Sequence, residues 1–169
     1  MNTVIKGGIK YNLDLKREPG YEAEKNDCTV RALCNATGVP YRDAHRRLAL
    51  EGRQHGHGMK FESVIAQWAL AKTILFGYRI SKVEFKTSSK STIRRTNLGW
   101  SHRMVTVRPT LSQMLRECRA GRYIVVKRGH AFTIIDGVIH DSTPVGARSQ
   151  VRSIYRFEPS SVVEAREAK

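Results

Sequence analysis

The dipeptide Asp136-Gly137, set between the apolar runs Ala131-Phe132-Thr133-Ile134-Ile135 and Val138-Ile139, constrains this chain more than any other feature. Asp-Gly between two apolar runs is the strongest short hairpin signal, so the pair predicts an antiparallel hairpin of fixed register. Ile135 then faces Val138 and Ile134 faces Ile139; continued outward, Phe132 faces Asp141 and His130 faces Thr143. Side chains alternate along a strand, so His130 and Asp141 fall on one face as diagonal neighbours, within hydrogen-bonding reach after a modest twist. His140 projects the other way, and Asp136 is read as a turn former without chemistry.

Upstream, Asn26-Asp27-Cys28-Thr29-Val30-Arg31-Ala32-Leu33 begins a helix. Val30, Leu33, Cys34 and Thr37 recur at helical spacing, Gly38 and Pro40 supply the stop, and Asp27 or Asn26 stands at the N-cap. Cys28 therefore lies in the first turn, where unpaired N–H groups and the helix dipole favour a negatively charged sulfur, the form in which a thiol attacks. Cys34 and Cys118 lie on apolar helical faces and read as packed. This gives Cys28 as candidate nucleophile, His130 as candidate base and acid, and Asp141 as the group orienting the imidazole.

Further helices are predicted from Tyr41, Ala44 and Leu48, from Phe61, Val64, Ile65 and Trp68, and from Leu111, Met114, Leu115 and Cys118 behind a Thr110–Gln113 capping box. Strands are expected at 10–15, in 73–86 with a bend at Phe76-Gly77-Tyr78, at 123–127, in the hairpin, and at 151–157. Helices early and antiparallel strands late give an α+β class, with the helices on one face or end of the sheet. We divide the chain into an arm at 1–25, a single domain at 26–159 and a tail at 160–169; residues 87–103 lack a period and read as a mobile basic loop anchored by Trp100.

Three cysteines without zinc spacing form no disulfide framework, which favours a reducing, cytoplasmic setting. No stretch approaches the roughly 20 apolar residues of a membrane span, and the N-terminus lacks a signal-peptide core, so no membrane partner is expected. His55 and His57 read as a plain loop; neither a metal nor a cofactor is expected, and no phosphate-binding Gly-rich loop or serine nucleophile elbow is present. Thirty Lys and Arg against fifteen acids give a net charge of +15, which suits an acidic partner, nucleic acid or a host protein assembly. Lys86, Lys90, Arg94, Arg95, Arg103 and Arg108 are the candidate contacts.

The Asn-Asp-Cys helix start, Gly-Arg-Tyr-Ile-Val-Val before Gly-His-Ala, and the following Asp-Gly-Val-Ile-His-Asp-Ser resemble the papain-like cysteine peptidase superfamily. The likeness is to its small bacterial and phage branch, similar to bacteriocin-processing peptidase domains. It implies N-terminal helices packed on a C-terminal antiparallel sheet, with Cys28, His130 and Asp141 as a triad acting on a protein or peptide substrate, in the host cytoplasm if phage-encoded. The chain departs from the pattern at Glu22, where such peptidases place an oxyanion-holding glutamine, since an ionised carboxylate cannot donate; Asn26 is the candidate substitute. Thr29 stands where the bacteriocin-processing branch commonly has glycine. Two readings result: a cysteine hydrolase (peptidase, isopeptidase or amidase), or a catalytically silent papain-like fold whose basic surface binds nucleic acid or a host assembly.

Overall fold

The computed structural model describes residues 3–13, 19–22 and 24–161. Strands β1 (Thr3–Lys6) and β2 (Ile9–Asn12) precede three helices, α1 (Cys28–Thr37), α2 (Tyr41–Leu50) and α3 (Phe61–Leu70). Then come β3 (Ile74–Leu75), β4 (Tyr78–Val83), a long hairpin of β5 (Ser88–Thr96) and β6 (Gly99–Val107), and α4 (Leu111–Glu117). The chain continues with β7 (Arg122–Lys127), β8 (His130–Ile135), β9 (Val138–His140) and β10 (Ser153–Pro159). Eight strands form one sheet in the order β1-β2-β9-β8-β7-β10-β4-β3, antiparallel except where β2 runs parallel to β9. The mixed α+β class follows, with the sheet mostly antiparallel.

The hairpin register is the one the turn dictates: Ile135 pairs with Val138 and Ile134 with Ile139. Asp136 and Gly137 both have positive φ, 48° and 77°, as such a turn requires. Asp136 also accepts a hydrogen bond from the Gly121 N–H at 2.8 Å, tying the turn to the end of the α4 connection.

Two cores flank the sheet. Ile124, Val126, Ala131, Tyr155 and Phe157 pack with Val30, Leu33, Leu48 and Ile65 of the first three helices. Val125, Phe132, Ile134 and Ile154 pack with Leu111, Met114 and Cys118 of α4. All helices were expected on one side, and α4 corrects this. The central strands are apolar on both faces rather than alternating, so each face requires a cover.

Two other expectations are corrected. Of the expected arm at 1–25, the described part around β2 belongs to the sheet: β2 pairs with β9, Ile9 and Tyr11 are buried, and the Tyr11 hydroxyl donates to the Val145 carbonyl at 2.5 Å. The strand expected at 10–15 is Ile9–Asn12, and 14–18 lie outside the described residues, as do 162–169 of the predicted tail. The mobile loop at 87–103 is instead the β5–β6 hairpin, which pairs from Ser88–Val107 to Thr96–Gly99. It carries no apolar alternation because every residue of β6 is exposed, so neither face needs a hydrophobic period. Among the described residues no helix is long and apolar enough to cross a membrane.

Candidate active site

Cys28 opens α1, as the periodicity requires. Asp27 occupies the N-cap position, yet its side chain makes no capping hydrogen bond. Its Oδ2 instead accepts from Arg31 Nε at 2.9 Å and from the Tyr41 hydroxyl at 3.1 Å. The first-turn N–H groups, that of Cys28 included, lack intrahelical partners by geometry and have no side-chain cap, so the helix start can receive a negative charge. One turn along, the Thr133 hydroxyl donates to the Ala32 carbonyl at 2.7 Å in a fully buried bond, which fixes α1 on β8. That bond sets the distance between the helix start and the strand carrying His130.

His130 and Asp141 meet as the register predicts. The ring Nε2 lies 2.6 Å from Asp141 Oδ2, and the carboxylate is buried at 4% exposure. Asp141 Oδ1 accepts the Ser142 N–H at 2.6 Å, and the Asp141 N–H donates to the Asn12 carbonyl at 3.2 Å. The Phe132 ring stacks on the imidazole with centroids 6.0 Å apart. The His130 pKa is raised to about 9 by the Asp141 hydrogen bond and then by a hydrogen bond with Cys28, against the opposing effect of burial. Because Nε2 is committed to Asp141, the nitrogen left for the thiol is Nδ1. The three groups therefore form one relay, Cys28 to His130 to Asp141. His140 faces elsewhere: its Nδ1 is 3.4 Å from Asn12 Nδ2, and burial, helped by Arg122, lowers its pKa.

Cys28 and His130 line an open cleft of about 1190 Å³, together with Asn26, Gly58, Met59 and Phe61. Asn26 reaches this cleft in a left-handed conformation, φ 55°, with Nδ2 donating to the Gly56 carbonyl at 3.2 Å. Glu22 does not line it. Its side chain is exposed and accepts the Gly20 N–H at 2.9 Å, and backbone hydrogen bonds hold its carboxyl below the usual range. The six basic residues singled out from the sequence also lie away from the cleft: Lys90, Arg94, Arg95 and Arg103 are on the β5–β6 hairpin, and Lys86 and Arg108 stand at its foot.

Sequence reasoning missed a buried polar cluster around Glu24. Glu24 and Arg53 both have fully buried side chains and are paired through Glu24 Oε1 and Arg53 Nη2, and the Gly56 N–H donates to the same oxygen at 2.9 Å. Burial alone would raise the Glu24 pKa, but the Arg53 and Gly56 hydrogen bonds lower it. Its Oε2 faces His55 Nδ1 and lies 3.9 Å from His45 Nε2; burial, then the Arg53 charge, lowers the His45 pKa. Glu24, His45 and His55 bring ligand atoms within 4.8 Å of one another, a set with the chemistry to hold a divalent cation, although the Arg53 guanidinium already neutralises the carboxylate. His55 thus pairs with Glu24 and His45 rather than with the neighbouring His57. Glu24 and Arg53 lie in loops, outside any periodic segment, and no local signal marks them.

Comparison with protein-family models, with curated proteins and with solved structures matches this chain to none of them.

Proposed function

We propose that this protein is a papain-like cysteine hydrolase that cleaves an amide or isopeptide bond. The observation that carries this reading is the relay itself. A thiol at an uncapped helix start shares a hydrogen bond with an imidazole whose far nitrogen is 2.6 Å from a buried carboxylate, and both thiol and imidazole open on one cleft.

In the proposed reaction the thiol proton resides on His130, whose pKa the Asp141 and Cys28 hydrogen bonds raise to about 9, and Cys28 Sγ attacks the carbonyl carbon, forming a C–S bond and a tetrahedral oxyanion. The Cys28 N–H is positioned to hold that oxyanion, and the Asn26 amide retains a second N–H beyond the one given to Gly56. Collapse breaks the bond to the leaving amine, which receives the His130 proton. Water, deprotonated by His130, then attacks the thioester; the acid product departs and the proton returns to sulfur. Asp141 keeps the ring oriented throughout and stabilises its charge. The exposed, outward-facing Glu22 leaves the oxyanion side of the cleft without the repulsion that the sequence alone suggests.

Trapping with a panel of peptide vinyl sulfones, read by mass spectrometry, tests the proposal. Adducts are expected on Cys28 in the wild type and on no residue in Cys28→Ser, with the rate reduced by at least a hundredfold in His130→Ala while circular dichroism is unchanged. Labelling of His130→Ala at the wild-type rate refutes the hydrolase reading and leaves the silent-scaffold alternative.

A further inference from the structure

We propose that the β5–β6 hairpin is a nucleic-acid-binding arm that inserts into the major groove of duplex DNA, a role separate from hydrolysis. The hairpin forms its own two-stranded sheet, apart from the eight-stranded one. Nine paired residues per strand at about 3.4 Å each make a ribbon roughly 30 Å long, and two strands about 4.8 Å apart fit a major groove about 12 Å wide.

Its register sorts the side chains by face. Cross-strand partners share a face and successive pairs alternate. Lys90–Val105, Thr92–Arg103 and Arg94–Ser101 therefore lie on one side, and Ser91–Met104, Ile93–His102 and Arg95–Trp100 on the other. The first face carries three cations on successive same-face pairs, a line with steps of about 7 Å that tracks a phosphate backbone. The second face exposes Ile93 at 61%, Met104 at 66% and Trp100 at 70%, a concentration of large apolar side chains that a solvated ribbon does not need. Residues 88–107 contain four Lys or Arg and neither Asp nor Glu. A ribbon inserted edge-first shows one face to each groove wall. The cations meet phosphates on one wall, and Trp100, Ile93 and Met104 meet sugars and base edges on the other. The absence of acids requires an anionic partner, the line of cations and the ribbon's width suit the DNA groove, and the chain's charge of +15 supplies the long-range attraction.

The test is fluorescence anisotropy with the full chain and a labelled 20-base-pair DNA duplex of random sequence, between 50 and 200 mM salt. Each phosphate contact adds about 0.9 to the slope of log affinity against log salt, so three add about 2.7. Over that fourfold salt range wild type should lose about forty-fold more affinity than Lys90→Gln/Arg94→Gln/Arg103→Gln. Lys6→Gln/Lys10→Gln/Lys25→Gln removes the same charge elsewhere on exposed positions and should leave the wild-type slope. Trp100 emission should be quenched on binding, whereas Trp68, 5% exposed, contributes a constant background. Equal slopes for the two triple variants, an unquenched Trp100, or no duplex binding at 50 mM salt would each overturn the proposal.

Discussion

Asp141→Asn removes a charge and almost no volume, and the structure says what the new amide must do. The Ser142 N–H sits 2.6 Å from Oδ1, so the amide oxygen takes that side and its NH2 turns toward His130 Nε2. A donor facing Nε2 moves the ring proton to Nδ1, the nitrogen that faces Cys28, and the ring can no longer accept the thiol proton. Two magnitudes follow. The first is the His130 midpoint, which should fall from about 9 toward its ordinary 6.5 once the carboxylate is gone, with the Cys28 hydrogen bond still opposing burial. At 1.36 kcal/mol per tenfold change this is about 3 kcal/mol, an upper limit because one-fifth of the side chain meets solvent. A folded-state pKa raised above its unfolded value contributes stability that is complete below pH 6.5 and gone above pH 9. The urea-derived gap between wild type and variant should therefore be widest near pH 6 and narrower by up to about 3 kcal/mol at pH 9.5. The second magnitude is chemical: Asp-to-Asn behind a catalytic imidazole costs on the order of 10⁴ in rate, so vinyl sulfone labelling of Cys28 should fall by a comparable factor. NMR titration of the His130 ring gives the midpoint directly. A midpoint still near 9 in Asp141→Asn, or a stability gap that does not change with pH, would refute the claim that Asp141 holds the imidazolium.

The remaining expectations concern the buried cluster and the three thiols. Glu24→Ala strands a fully buried Arg53 guanidinium and should cost about 3–5 kcal/mol, whereas Glu24→Ala/Arg53→Ala should cost less than the sum of the single changes, with a coupling of 1 kcal/mol or more. Additive urea denaturation energies would show that the pair does not act as a unit. Iodoacetamide at pH 7 followed by mass spectrometry should modify Cys28 first and leave Cys118 until the protein unfolds. Cys118 is 1% exposed and burial pushes its thiol up to about 11, so about one molecule in 10⁴ carries the reactive thiolate at that pH. Native-state labelling of Cys118 alongside Cys28 would mean that α4 does not seal the second core.

What the sequence discloses depends on whether a rule of short range governs each element. The Asp136-Gly137 turn binds its neighbours to one register, and from it the His130–Asp141 contact was derivable as a residue pair, because only the two-residue turn separates the two strands. Cys28 at a helix start is equally local, set by the spacing of Val30, Leu33 and Thr37. The failures share one cause. The parallel pairing of β2 with β9 joins Tyr11 to Ile139, and the Glu24–Arg53 pair spans two helices; no period or turn residue encodes either. Glu22 shows the same limit in reverse. Counting six residues back from Cys28 assumes that the chain approaches the helix as it does in papain-like peptidases. Here a turn closed by the Glu24 N–H on the Tyr21 carbonyl carries Glu22 outward and Glu24 into the core. The β5–β6 arm escaped for a different reason. Hydrophobic periodicity reports burial, and a ribbon whose sides both face solvent has nothing to report, although its serines, threonines and arginines hold nine pairs in register. A segment that is ordered without a core of its own, and that keeps tryptophan, isoleucine and methionine on its surface, is the observation from which the binding arm is proposed.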